Sequence, residues 1–266
     1  MTPSQRPKDW KNFEDFAEGI AHNRLPRTAQ LVGRSLAISL GGWCLDLQAT
    51  SEQAMDWRDN QSSPSSGSAW YEAVELAPDL YWIDLVRAEL AQQSLTLVVN
   101  LSTRRVLAVN SRIRAQSVAD GQPRVAQDFI AGQIDDAPLH DAGQPPCPSR
   151  DLVGLRTLQV YSDRHAYEHV YLNGERYAWQ CLVGVQRGQG DVDLATYYRF
   201  GPDQYVFAFR EFLIPVASVF FFNFASRRST GKFFGLTGSG EVSNRPAGAF
   251  ITELSRTVYP DDVRPA

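Results

Sequence analysis

"NLSTRR" at 100–105 returns as "NFASRR" at 223–228, and "PDLY" at 78–81 returns as "PDQY" at 202–205. "LVGRSL" from Leu31 is echoed by "LVGLRTL" from Leu152, and Trp57 and Trp179 close two further matched segments, "EQAMD" and "ERYA". Four landmarks in one order, at offsets of 121 to 124 residues, mark an internal duplication covering 31–136 and 152–259. The fold must therefore be one plan used twice. The Pro-rich stretch "PLHDAGQPPCPSRD" between the copies has the composition of a linker.

Within each copy the apolar residues alternate with period two, as in "LYWIDLV", "LTLVVNL", "AYEHVYL" and "YVFAF". About 105 residues carrying six to eight short strands joined by tight turns suit a small closed antiparallel barrel. The expected class is all-β: two tandem barrels over 31–137 and 152–266, a linker at 138–151, and a helical segment within 1–30. In that segment Trp10, Phe13, Phe16 and Ile20 recur at helical spacing and should pack over a barrel end.

Net charge is −4 with no long basic run, so neither nucleic acid nor an anionic membrane surface is an expected partner. The longest apolar run, "FLIPVASVFFFNFA", is interrupted by Pro215 and Asn223 and too short to span a bilayer, and "MTPSQRPKDW" has no apolar core of a signal peptide. A cytoplasmic protein is expected. Cys44, Cys147 and Cys181 fit neither a disulfide framework nor a zinc site. No Gly-rich nucleotide loop or nucleophile elbow is present, and no cofactor is expected.

"DLVGLRTLQVYSDRHAYEHVYLNGERYAWQC", "YVFAFREFLIP" and "SRRSTGKFFG" resemble the MoaF family, named for molybdenum cofactor biosynthesis protein F; "GSAWYEAVELAPDLYWIDLV" matches more loosely. The resemblance implies lipocalin-like (calycin-type) barrels. It implies little chemistry, since such barrels serve carriers, decarboxylases and cyclases alike. An accessory role in molybdenum-cofactor metabolism is what the family name adds.

"HAYEH" matches the inverted zinc-peptidase pattern, which needs a helix. Here it leads into a strand, where residues four apart are about 13 Å apart, too far for two histidines to share one zinc, so no metal is expected. Asn173-Gly174 reads as a two-residue hairpin loop. That register sets Glu168 opposite Trp179 on an apolar face, where desolvation would raise its pKa. If the other face is inward, His169 with Tyr167 and Tyr171 forms a polar wall instead. Asp84 interrupts an apolar strand, and Ala208 replaces it in the second copy. Candidate acid-base residues are thus Asp84 and Glu168, with His169 as relay. Trp57, Tyr71, Glu72, Tyr81, Trp82, Tyr171, Trp179 and Tyr198 would line a pocket for an aromatic, amine or carboxylated metabolite. Of the neighbours Arg210 and Glu211 only one can face inward, and Arg210 would anchor a carboxylate. Asp191 and Asp193 read as a solvated loop. The expected function is cofactor-independent cyclisation, isomerisation or decarboxylation, or small-molecule carriage without turnover; a homodimer is possible.

Overall fold

The computed structural model describes residues 6–115, 121–135 and 144–266. Strands β1 (Ser35–Leu40), β2 (Trp43–Ala49), β3 (Ala54–Asp59), β4 (Ser66–Ala77), β5 (Leu80–Val86), β6 (Gln93–Asn100), β7 (Arg105–Ile113) and β8 (Val125–Ile134) close in chain order into an antiparallel barrel. After the two-residue β9 (Cys147–Pro148), the second barrel uses β10 (Leu155–Ser162), β11 (His165–Tyr171), β12 (Arg176–Val183), β13 (Gly190–Gly201), β14 (Gln204–Arg210), β15 (Val216–Asn223), β16 (Arg228–Leu236) and β17 (Val242–Arg256). Pairing of β12 with β13 closes it. The expected all-β double barrel is what the chain forms. Two compact units result: 25–112 with 127–147, and 1–24 with 113–126 and 148–266. Part of the expected linker, 138–143, lies outside the described residues.

The repeated phrases are corners whose geometry needs them. Asn100 and Asn223 end β6 and β15, and each side-chain Oδ1 accepts a backbone N–H three residues on, from Thr103 at 2.7 Å and Ser226 at 3.2 Å. Arg104 and Arg227 then take the left-handed conformation, φ 62° and 54°. Asp79 and Asp203, of "PDLY" and "PDQY", do the same at φ 60° and 53°. Their carbonyls accept the amides of Leu101 and Phe224 at 2.8 and 2.9 Å. The echo thus preserves backbone geometry at equivalent places in strand order.

At the N-terminus the helix α1 spans only Phe13–Ala17, shorter than the apolar stripe suggested. Glu18 is already extended and Gly19 has φ +87°, so the helix ends after little more than one turn. Its residues still pack as expected over a barrel end, and the barrel is the second. Phe13, Phe16 and Ile20 are buried in that core, and Trp10 meets Trp179 edge-on at 5.8 Å. Asn23 N–H and Gly248 N–H tie the segment down through the carbonyls of Tyr161 and Ile20, both at 3.0 Å.

The two interiors differ in character. Leu36, Ile38, Leu45, Leu47, Ile83, Leu95 and Leu97 fill the first, each contributing about 1.5–3 kcal/mol by burial. The second is aromatic, with Tyr171, Tyr177, Tyr197, Phe207, Phe220 and Phe222 in mutual contact. No helix among the described residues is long and apolar enough to cross a membrane.

Candidate functional site

Strand alternation selects what enters the second barrel. Tyr167, His169 and Tyr171 of β11, Tyr177, Trp179 and Cys181 of β12, and Asp193 and Tyr197 of β13 are buried, while their neighbours Val170, Ala178 and Val192 are not. Glu211 follows β14 and is buried as well. Between these groups lies a cavity lined by Tyr161, Tyr167, His169, Tyr177, Trp179, Gln186, Phe209, Glu211 and Phe233, with Phe16 and Ile20 completing its wall. Its free volume is about 30 Å³. That exceeds the ~10–15 Å³ one buried water needs.

Two carboxyl groups meet in this barrel. The β13–β14 ladder ends where Leu194 pairs with Arg210, Asp193 and Glu211 are the residues next beyond that pair, and the charge of Asp193 acts on Glu211. Burial, followed by the charges of Asp193 and Asp191, raises Glu211 well above the usual carboxylate range, with only Arg6 opposing. Burial also pushes Asp193 up to about 7, against hydrogen bonds from Trp179 and the Phe212 backbone. Like charges so placed cannot both ionise cheaply, which favours the protonated form of each. Trp179 Nε1 donates to Asp193 Oδ2 at 2.9 Å, and among the described residues Oδ1 has no hydrogen-bond partner. His169 is pushed down to about 3 by burial and stays neutral; its Nδ1 likewise has no hydrogen-bond partner among them. Tyr167 donates to Gln186 Oε1 at 2.8 Å.

Several expectations change. The hairpin loop has three residues: Leu172 and Asn173 both donate to the Arg176 carbonyl, and Asn173 Oδ1 accepts from Glu175 N–H at 2.9 Å. The register therefore slips by one, so Glu168 faces Gln180 and His169 faces Trp179. One residue of slip exchanges the faces of one strand relative to the other. Glu168 points outward, bonded to Arg156 and Gln180, and the Arg156 bond lowers its pKa rather than raising it. Arg210 also faces outward and donates to Thr196 Oγ1 at 2.9 Å; burial pushes it down to about 10. Its neighbour Glu211 is the inward one. Tyr198 alternates with the inward Tyr197 and lies outside. Asp193 is fully buried, not part of a solvated loop.

In the first barrel Trp57, Tyr71 and Tyr81 are interior. Tyr71 donates to the Ser51 carbonyl at 2.8 Å and Tyr81 to Gln30 Oε1 at 2.5 Å. Asp84, Trp82 and Glu72 occupy the opposite, outward face: Asp84 pairs with Glu72 and Thr96 across the ladder and accepts from Ser94 Oγ at 3.4 Å, and Glu72 pairs with Arg27 at 2.7 Å. Of the residues singled out in sequence, Tyr167, His169, Tyr171 and Trp179 share the interior of the second barrel, and Trp57, Tyr71 and Tyr81 share that of the first.

Models of the MoaF N-terminal and C-terminal domains match residues 8–115 and 146–257. Protein MoaF of Klebsiella aerogenes is 34% identical over 254 residues, 91% of this chain and 94% of its own. The chain belongs to the MoaF family. A "putative beta-lactamase" of Burkholderia vietnamiensis, solved by crystallography, is 16% identical and covers 39% of this chain and 96% of its own with a TM-score of 0.35. At that level it carries no inference about this member of the family.

The carboxyl pair was missed in sequence because Asp193 sits in "GQGDVD", which looks like a polar loop, and Glu211 follows a strand end. The alternation of Asp193 with Ala195 and Tyr197 was the available signal. The "HAYEH" segment is a strand, and among the described residues no cluster of three or more His, Cys, Asp or Glu could hold a metal.

Proposed function

We propose that the chain binds a small molecule inside the second barrel and exchanges a proton with it through Glu211 and Asp193, in chemistry that needs no cofactor. The observation that carries this reading is a buried pair of acids, Asp193 and Glu211, at an aromatic cavity, with Asp193 Oδ1 and His169 Nδ1 lacking a hydrogen-bond partner among the described residues. Buried polar atoms are ordinarily satisfied, and those that are not are candidates for meeting a ligand. Aromatic walls with a few convergent polar groups are the usual make-up of a small-molecule site. A carboxyl pair whose pKa values are raised by burial can hand over one proton and take one back, as cyclisation, isomerisation and decarboxylation require. His169, neutral at physiological pH, serves as hydrogen-bond partner rather than as a charge.

Carriage without turnover is the second reading, and the small free volume beneath Phe16 and Ile20 favours it. An accessory role in molybdenum-cofactor metabolism is compatible with the family and belongs to that class. The test is mass spectrometry of small molecules released on denaturing the wild-type protein and the Glu211→Gln variant. One species released in near-stoichiometric amount by wild type and depleted in the variant is expected. Equal release from both proteins, or none from either, counts against the site.

A further inference from the structure

The two copies treat one position in opposite ways. Arg87 follows β5 as Glu211 follows β14, and the ladders align them: Trp70 pairs with Val86 in the first copy and Leu194 with Arg210 in the second. By the same alignment Trp57 corresponds to Trp179, since they pair with Gly67 and Asp191. In the first barrel the Arg87 guanidinium lies 4.9 Å from the Trp57 ring centre and bonds Asp59 Oδ2 at 2.9 Å, both groups being buried. That barrel end supplies its own cation to its own aromatic ring and carboxylate. The second barrel keeps the tryptophan, adds Asp193 where the first has Ala69, and has Glu211 where the first has arginine. None of the residues lining its cavity is Lys or Arg.

We infer that the second barrel takes a cationic amine as its ligand, the ammonium group occupying beside Trp179 the place that the Arg87 guanidinium fills beside Trp57. This rests on the reading that the second barrel is the binding site. The chemistry is complementary at each contact. Glu211 lines the cavity and accepts N–H donors, Asp193 Oδ1 just behind Trp179 and the neutral His169 Nδ1 have no partner among the described residues and can accept further ones, and Trp179 and Tyr177 supply aromatic wall of the kind a cation packs against. A carboxylate ligand would meet two acids with no Lys or Arg in the cavity wall, since Arg210 turns outward to Thr196. The free volume admits a group of ammonium or methylammonium size. A larger substituent must displace the segment that carries Phe16 and Ile20.

The charged and titratable groups acting on the pair are Asp191, Arg176, Arg210 and Arg6, with His169 and Tyr177 inside the barrel. None of the four arginine and aspartate side chains lines the cavity. The test compares methylammonium, benzylammonium, benzyl alcohol and benzoate on the full-length protein, read by thermal shift and by the fluorescence of Trp10 and Trp179. An ammonium group meeting the pair should displace its proton, so calorimetry in two buffers of different ionisation enthalpy should show proton release near pH 7. The ammonium probes should bind and benzoate should not. Glu211→Gln and Asp193→Asn, two near-isosteric changes, should each weaken benzylammonium about 10- to 100-fold, the range for losing a charged hydrogen bond. If benzyl alcohol or benzoate binds as well as benzylammonium, and Glu211→Gln abolishes it, the site stands and the amine inference falls. If no probe binds and wild type releases no molecule on denaturation, the second-barrel reading falls with it.

Discussion

At Asp193 and His169 the fold pays opposite costs of burial, and pH separates them. Asp193 is pushed from 3.8 up to about 7, so the folded chain keeps a proton that the unfolded chain has lost. Stability from this group is whole below about pH 4 and is lost as pH rises through about 7. Glu211, also raised by burial, acts in the same sense. His169 moves the other way: pushed from 6.5 to about 3, it contributes stability above about pH 6.5 that is lost as pH falls toward 3. Between pH 4 and 7 the trends oppose, and the wild-type melting curve should be nearly flat. Asp193→Asn should therefore melt increasingly above wild type from pH 5 to pH 8, whereas His169→Gln should gain relative to wild type only as pH falls from 6 to 4. Thermal melts of the three proteins at four pH values decide the matter, and parallel profiles would show that neither group titrates differently on folding.

Corners and hairpins show which local signals can be read from sequence and which cannot. The repeat was legible because its landmarks are residues a corner needs: Asn100 and Asn223 cap the turn, and Arg104 and Arg227 sit where side chains rarely go. Asn173-Gly174 misled because asparagine supports more than one turn. Here its side chain bonds Glu175 N–H and builds a three-residue loop, and no residue in the sequence distinguishes that from two. The one-residue difference sets Glu168 opposite Gln180 rather than Trp179, on the outward face, while the strands themselves lie where the sequence placed them. Likewise the helix was over-extended because its apolar stripe continues beyond Gly19 in turns rather than helix. The corner argument predicts a sign. Arg227→Gly should leave stability level or raise it, since glycine reaches φ 54° freely, whereas Arg227→Val should lower it by about 1–2 kcal/mol. Asn223→Ala should cost about 1 kcal/mol through the lost Ser226 bond. Denaturant unfolding of the three variants measures all of it.

The proposed site in the second barrel would leave the first as packed scaffold, and the contrast between Arg87 and Glu211 gives that division a test. Asp59 is hemmed in: burial works against its charge, yet bonds from Ser62 and Gln61 and the Arg87 guanidinium outweigh it and hold the carboxyl below its ordinary value. Removing Arg87 leaves that carboxylate buried without its cation. Breaking such a pair costs about 3–5 kcal/mol, and the remaining bonds to Asp59 place the loss at the lower end. Removing the charge of Glu211 has the reverse logic, because it relieves a buried carboxyl from its neighbour. At pH 8, Arg87→Gln should therefore destabilise by about 3 kcal/mol while Glu211→Gln is neutral or stabilising, although both place glutamine at the same position of the repeated plan. Amide hydrogen exchange locates each effect, with faster exchange expected in β3 and β5 for the first variant and unchanged or slower exchange in β13 and β14 for the second. Loss of stability of equal size from both would mean that Glu211 is a structural partner like Arg87, and the second barrel would then be a second scaffold rather than a site.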